Sequence, residues 1–252
     1  GWFGGGRYSR LVDRSFDVAP DAQLAIRSSS VDVSLVPGSG TTLHVHGTFR
    51  GSSRAQVDGV HVTMQQSGNR RIVAIEVPSG RFEFVNFTDA HVIVSVPRVA
   101  ALAVVSTSGD LSAADQSAPL DVQTSSGDVT VDRAKAAVAI RTSSGDVIVR
   151  QAAGTVRTDT TSGDVHVRDP GGSLSSTSTS GDLTATLGAN WSGSSLAMHS
   201  TSGDIDLTVP SSFHGALHTS TASGDVANNA KLTPNGTIPV DLTSSSGDIT
   251  VH

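Results

Sequence analysis

Aliphatic and polar residues alternate with a period of two along most of this chain. In the segment VAIRTSSGDVIV, residues 138–149, an aliphatic residue stands at every second position before and after a Thr-Ser-Ser-Gly-Asp run. Side chains alternate between the two faces of a β-strand, so this pattern predicts two short strands joined at a corner. No stretch shows the apolar spacing of a long amphipathic helix.

The same pattern returns at regular intervals. Ser-Gly-Asp occurs eight times, and successive aspartates lie 18, 18, 18, 18, 22, 21 and 23 residues apart. An imperfect copy near the start has Val31 in the glycine position and Asp32 in the aspartate position. A period near 20 residues is typical of a solenoid in which each repeat forms one coil. The predicted structural corner motif comprises Gly109, Asp110, Gly127, Asp128, Gly145, Asp146, Gly163, Asp164, Gly181, Asp182, Gly203, Asp204, Gly224, Asp225, Gly247 and Asp248.

Four positions in each repeat are predicted to share the inward face of a strand. Counted back from the aspartate, the eighth residue is always aliphatic, the sixth is mostly aliphatic, and the fourth and second are always Ser or Thr. After the aspartate, the inward positions change from even to odd parity. This change predicts a corner at Gly-Asp, where glycine supplies backbone angles forbidden to other residues and Ser and Asp bond to nearby backbone N–H groups.

The pattern therefore predicts an all-β fold, a single-stranded β-solenoid (β-helix) with coils of about 18 to 23 residues. Stacked coils pair their strands in parallel, and the inward hydroxyls are expected to bond to one another or to corner backbone groups. Residues 101–252 are predicted to form the regular solenoid repeats. Residues 14–100 are predicted to form irregular β coils or a small sheet that caps the stack, and residues 1–13 a flexible N-terminal lead. The C-terminal SSSGDITVH has no obvious cap.

Composition and charge exclude several classes of protein. The chain has no cysteine, so it has neither a disulfide nor a thiolate metal site. No apolar run approaches the roughly 18 residues needed to span a membrane, so membrane attachment is expected only through a segment outside this sequence. Residues 101–252 carry 7 Lys and Arg against 15 Asp and Glu. This acidic balance argues against nucleic acid as a partner.

The segment HVIVSVPRVAALAVVSTSGDLSA, residues 91–113, and the repeats that follow it resemble the bacterial DUF4097 adhesin family. The earlier segment FDVAPDAQLAIRSSSVDVSLVPGSGTTLHVHGTF also resembles the opening of that family, and the likeness extends over residues 14–252. The resemblance implies a β-solenoid exported to the cell envelope, either periplasmic or secreted. It also implies frequent membrane attachment, a link to envelope-stress signalling in some members, and no established enzyme activity.

The column of aspartates raises the question of calcium. Eight carboxylates about one coil apart would repel one another unless each bonds locally or shares cations. Calcium solenoids of the nonapeptide type have Gly-x-Asp around the metal, whereas Gly and Asp are adjacent here. We therefore expect structural corner capping, with calcium as the alternative, and no cofactor.

Other polar groups are weaker candidates for chemistry. Carboxylate catalysis would need a local cluster that departs from the repeat, such as Asp204 with Asp206, or Asp164 with Asp169 near His166. His44 and His46 share one strand face and could hold zinc together with His61 or His91. We interpret each of these groups as solvated surface, together with His199, His214 and His218, and we expect no enzyme activity. No nucleophilic triad or nucleotide-binding loop stands out.

Three functions remain as hypotheses. The first is a non-enzymatic extracytoplasmic scaffold or adhesion protein that binds a protein, a cell surface or a glycan. The second is a subunit that associates end to end into an extracellular filament, as the uncapped C-terminal end suggests. The third is a glycan-binding or glycan-active protein on a β-helix.

Overall fold

The computed structural model describes residues 8–78, 87 and 89–252. These residues form short β-strands and a five-residue helix, and they divide into two compact units, Gly1–Leu120 and Asp121–His252. Within each unit the strands lie in two sheets and mostly pair in parallel. The predicted all-β solenoid is confirmed.

The first unit combines solenoid coils with antiparallel strands. The strand orders of its two sheets are β1-β4-β7-β3-β9 and β8-β2-β6-β5. The pairs β1–β4, β4–β7 and β5–β6 are antiparallel, and the other pairs are parallel. The elements are β1 (Tyr8–Asp17), β2 (Gln23–Ser28), β3 (Asp32–Pro37), β4 (Thr42–Gly51), α1 (Arg54–Asp58), β5 (His61–Ser67), β6 (Arg70–Glu76), β7 (Asp89–Val96), β8 (Ala101–Ser106) and β9 (Leu111–Ala114).

Two arginines on β1 connect the two sheets of the first unit. The Arg10 guanidinium donates hydrogen bonds to the carbonyl oxygens of Val57 at 3.2 Å and Asp58 at 2.7 Å, at the end of α1. The Arg14 guanidinium donates to the carbonyl oxygen of Val62 on β5 at 2.9 Å. These bonds close one end of the unit, because β1 and β5 are the edge strands of the two sheets.

The structure differs from the predicted boundaries at one point. Residues 8–13, predicted to belong to a flexible lead, are part of β1, which pairs with β4 over ten residues. Paired residues of these two strands lie 25 to 43 residues apart in sequence, from Asp17 with Thr42 to Tyr8 with Gly51, so the pairing is not visible in the local pattern. The compact units divide at Leu120, inside the segment predicted to form the regular repeats. Within the predicted irregular β part, residues 79–86 and 88 lie outside the described residues.

The second unit is a regular parallel stack. From β11 to β17, neighbouring coils pair in a register of 18 residues, so that Val147 lies beside Val129 and Val165, and Val156 beside Val138. Each coil contributes one strand to each sheet. The strands are β10 (Leu120–Thr124), β11 (Val129–Asp132), β12 (Val138–Thr142), β13 (Val147–Arg150), β14 (Val156–Thr160), β15 (Val165–Arg168), β16 (Leu174–Ser178), β17 (Leu183–Thr186), β18 (Leu196–Ser200), β19 (Ile205–Thr208), β20 (Gly215–Thr221), β21 (Val226–Asn228), β22 (Ile238–Ser244) and β23 (Ile249–Val251).

The inward face follows the predicted positions except at one. The residues eight, six and four before the aspartate are buried in the 18-residue coils, as are those one and three after it. The serine two before the aspartate was predicted to face inward, but Ser144, Ser162 and Ser180 are exposed. The chain already turns at this residue, so the alternation of a strand no longer applies there.

The coils of the second unit are not stacked in sequence order. β23 lies between β19 and β21, and β22 lies between β18 and β20. The last coil of the chain is therefore inserted between the two coils that precede it in sequence. The C-terminal SSSGDITVH was predicted to be an uncapped end; it is instead an interior coil. The first unit has a similar feature, since the coil of β2 and β3 lies between β6–β7 and β8–β9.

The coil of β20 and β21 therefore forms an edge of the second unit. Val226, at an inward position, is 45% exposed, whereas Ile205 and Ile249 at the same position are 1% and 0% exposed. A bridge between Ala216 and Thr233 covers part of the edge of β20.

Candidate functional site

Each Gly-Asp pair lies at the corner between the two strands of a coil. In the coil of β12 and β13, the Thr142 hydroxyl accepts a hydrogen bond from the Gly145 N–H at 3.1 Å. The same bond recurs in the corners of the second unit at 2.7–3.2 Å, as side-chain hydroxyls accept from Gly127, Gly163, Gly181, Gly203, Gly224 and Gly247. The inward hydroxyl at the end of the first strand thus holds its own corner.

The aspartates form a ladder that links neighbouring corners. Oδ1 of Asp146 accepts the backbone N–H of Asp164, and Oδ1 of Asp164 accepts that of Asp182, each at 2.9 Å. The ladder follows the stacking order and not the sequence: Asp248 donates to Asp204, and Asp225 donates to Asp248, each at 2.8 Å. Within the second unit, each carboxylate with a following corner therefore accepts a backbone N–H from that corner rather than from its own.

At the corners of the second unit, glycine is required for a different reason from the one predicted. Gly109, at the corner between β8 and β9, has a φ of 110° and fits the predicted dihedral requirement, but no described glycine of the second unit has positive φ. A Cβ on Gly145 would approach the carbonyl oxygen of Gly127 to less than 3.0 Å, and one on Gly163 would meet Gly145 in the same way. The corners stack backbone against backbone, so the constraint is space and not the dihedral angle.

The imperfect first copy shows what happens without this glycine. Ser30 takes the left-handed conformation with φ of 54°, and Val31 is buried. The Ser28 hydroxyl, equivalent to the corner hydroxyls of the other copies, is buried and makes no hydrogen bond among the described residues. One buried polar group is therefore unsatisfied at this corner.

The carboxylate pairs considered for catalysis do not form a catalytic arrangement. Asp204 lies at a corner, where its Oδ1 accepts the Asp248 N–H. Asp206 lies outward on β19 and pairs with His252 at 3.2 Å. Asp164 belongs to the corner ladder and Asp169 follows β15, and neither bonds to His166 in the part of the chain that the structure describes.

His44 and His46 share the outer face of β4, and the structure adds a carboxylate from β1. Asp13 Oδ1 lies 2.5 Å from His44 Nε2, and Asp13 Oδ2 lies 3.9 Å from His46 Nδ1. His91 contacts Ser34, and His61 is in the other sheet of the unit. No group of three His, Asp or Glu side chains among the described residues is placed to hold a metal ion.

The remaining histidines are separate from these groups. His199 lies on the outer face of β18 beside Thr243, and His218 lies on the outer face of β20 beside Asp241. His214 contributes only a backbone carbonyl, which accepts the Thr237 N–H at 3.0 Å.

A polar groove of about 240 Å³ lies on the outer face of β10, β12 and β14. Two columns of outward side chains line it, and the columns are two residues apart along each strand. The first column contains Asp121, Ala139 and Arg157, and the second contains Gln123, Arg141 and Asp159.

Sequence analysis did not single out these groove residues. They lie seven and five residues before successive corner aspartates, so the period of 18 already placed them in two columns. The signal was therefore present in the repeat, but the residue types at these two positions change from coil to coil, so no repeated motif marks them.

The fold and the corner ladders define a class of protein, the parallel β-solenoid with two strands in each coil. No helix among the described residues has the length and apolar composition needed to cross a membrane. The sequence profile of the Toastrack DUF4097 family matches residues 22–252. The chain belongs to this family.

Solved structures of similar fold are remote in sequence. A "putative adhesin" from Bacteroides fragilis is 13% identical, with a TM-score of 0.56, over 96% of this chain and 97% of that protein. A "putative lipid binding protein" from Parabacteroides distasonis is 12% identical, with a TM-score of 0.46, over 98% of each chain. No curated protein matches the chain in sequence. The first likeness supports the fold alone.

Proposed function

We propose that this protein is a non-enzymatic binding scaffold of the cell envelope, located outside the cytoplasm, that acts in adhesion. One observation carries the proposal: the repeated polar residues are used within the stack. The corner hydroxyls, glycines and aspartates bond to or pack against neighbouring corners. The repeat thus serves the scaffold, and the outward side chains, which vary from coil to coil, are left for recognition.

The outward positions suit this role because they present different chemistry at constant spacing. Along one column of the second unit, Asp121, Ala139 and Arg157 follow one another on strands about 4.8 Å apart. A rigid sheet holds such side chains in place before a partner arrives, which lowers the entropy lost on binding. The "putative adhesin" of similar fold agrees with a surface location.

Display on a non-adherent laboratory bacterium tests the proposal. Cells that carry this chain are expected to be retained on epithelial cells or on other bacteria under flow, whereas cells with an empty display system are washed away. The purified chain, added as a soluble competitor, should reduce retention. Failure of the correctly folded displayed chain to increase retention on any surface tested would contradict an adhesion role.

A second candidate, end-to-end assembly, is favoured by the exposed edge of the second unit. Val226 is 45% exposed at a position that is buried in other coils. A filament formed through this edge should be visible by negative-stain microscopy and should be abolished by Val226→Asp. A chain that stays monomeric at high concentration would contradict this candidate without affecting the first.

A further inference from the structure

The groove on β10, β12 and β14 lies in the most basic part of the second unit. Residues 121–252 carry 7 Lys and Arg against 13 Asp, and are therefore acidic as a whole. Residues 133–168 reverse this balance, with six Lys and Arg against three Asp. Two of the six basic side chains, Arg141 and Arg157, line the groove.

The two groove arginines differ in their partners. The Arg157 guanidinium pairs with Asp159 on the same strand, with 3.3 Å between Nε and Oδ2. The Arg141 guanidinium is exposed and makes no hydrogen bond or ion pair among the residues that the structure describes. By contrast, Arg150 on the other sheet makes two hydrogen bonds to Asp132, which raise the pKa of Arg150 above its usual range. Arg141 is thus available to an anionic ligand.

The other lining groups favour a ligand rich in hydroxyls. Asp121 and Asp159 accept hydrogen bonds, and Gln123 both accepts and donates. Ala139 forms the floor of the groove, because its short side chain stands between the longer Asp121 and Arg157 in the same column. Ile140 also borders the groove, but its side chain belongs to the buried inward face, so the exposed lining is polar apart from Ala139. Carboxylate acceptors beside an unpaired guanidinium match a sugar that carries both hydroxyl groups and a carboxylate.

We propose that this groove binds carboxylated sugars, such as the uronic acid units of an acidic polysaccharide. Arg141 binds the sugar carboxylate, and Asp121, Gln123 and Asp159 bind ring hydroxyls. The three strands that supply these groups span about 10 Å, or two inter-strand spacings. The groove can therefore contact only a short stretch of the polysaccharide. This inference rests on the proposed binding function and names the ligand class of one site.

Calorimetry with oligogalacturonate tests the inference on the intact chain. We expect Arg141→Ala to weaken binding at least about tenfold, the range for loss of a charge-assisted contact. Ala139→Leu changes no charge but fills the floor of the groove, so it should weaken binding to a similar extent. Two matched controls should bind as the parent does: Arg168→Ala, an exposed arginine on the other sheet, and Ala197→Leu, at the equivalent outward position of β18.

The outcomes separate this site from the wider proposal. If Arg168→Ala weakened binding as much as Arg141→Ala, overall charge alone would attract the ligand. That result would overturn the assignment of the groove as the binding site. Equal binding of a neutral galactan, or tighter binding of a phosphate-linked glycan, would overturn the assignment to carboxylated sugars. Absence of oligogalacturonate binding by the parent would overturn it as well. Adhesion that persists in Arg141→Ala and Ala139→Leu would leave the scaffold function intact while removing this groove from it.

Discussion

One buried hydroxyl in a corner makes two hydrogen bonds. Ser244 accepts from the Gly247 N–H at 2.9 Å and donates to the Gly203 carbonyl oxygen at 2.9 Å, so it fixes its own corner and ties it to the next coil. Ser28, at the equivalent position of the first copy, has neither bond among the described residues. The same residue type is thus expected to have opposite effects on stability at the two positions.

We expect Ser244→Ala to lower the free energy of unfolding by about 1 to 3 kcal/mol, because it leaves a buried N–H and a buried carbonyl without their partner. Ser28→Ala should be neutral or stabilising, because it removes a buried hydroxyl that is unsatisfied. Urea denaturation of the two variants measures the difference. Equal losses would mean that these hydroxyls contribute through packing alone.

Close approach at the corner leads to a prediction for Gly145. Any side chain there meets the Gly127 carbonyl oxygen, so we expect Gly145→Ala to destabilise the protein by about 1 to 3 kcal/mol, the usual range for overpacking. Gly145→Asn should destabilise the protein more than Gly145→Ala, because the asparagine side chain is larger. Ser143→Val, at an exposed position of the same corner, serves as the control.

Thermal denaturation distinguishes the two explanations for Gly145. A dihedral requirement would make asparagine better tolerated than alanine, since asparagine enters the left-handed region more readily. Spacing in the sequence was sufficient to predict the corner and its residues. It was not sufficient to predict the reason for glycine, because the distance between stacked backbones is a property of neighbouring coils and not of one repeat.

At the scale of elements, the stacking order of the coils is the feature that the sequence repeat does not predict. Each repeat predicts its strands and their inward faces, and these predictions agree with β10 to β19. The repeat cannot predict which coil lies next to which, because all copies carry similar pairing surfaces. Connection length does not reveal the order either, since residues 187–195 form a longer connection than residues 209–214 but join coils that stack in sequence order.

Two proline substitutions test this order. Ile249 donates its N–H to the Asp225 carbonyl oxygen at 2.9 Å, whereas the alternation of a parallel ladder turns the Val226 N–H toward the free edge. We therefore expect Ile249→Pro to cost about 3 kcal/mol or more, and Val226→Pro much less, since proline is tolerated on edge strands. Hydrogen exchange and urea denaturation measure both effects. The reverse ranking would mean that β23 and not β21 is the edge strand.

At the scale of the whole molecule, the balance of charge bears on the aspartate column. The chain has a formal net charge of −6, yet within the second unit the corner carboxylates that have a following corner each accept a backbone N–H from it. We expect EDTA to leave the melting temperature unchanged, because these bonds hold the corners without a cation. Differential scanning calorimetry with and without EDTA measures this.

Asp146→Asn provides the control for the chelator experiment. The amide oxygen still accepts the Asp164 N–H, so we expect a stability close to that of the parent. A melting temperature that falls on addition of EDTA and recovers with calcium would contradict the structural role of the carboxylates. A large loss of stability in Asp146→Asn would then indicate that the negative charge of the Asp146 carboxylate is needed.

Insertion of the last coil has a consequence for how the protein is made. Synthesis runs from the N-terminus, so β20 and β21 leave the ribosome before β22 and β23, which separate them from β18 and β19 in the finished stack. Until then the surface of β18 and β19 is vacant, and the early coil carries the Ser-Gly-Asp pattern needed to occupy it. We expect the nascent chain to pair there temporarily and to shift outward by one strand spacing, about 4.8 Å, once β22 and β23 have been synthesised. Assembly of this unit would then finish only after β23 leaves the ribosome, and a chain truncated before β22 would retain the provisional pairing.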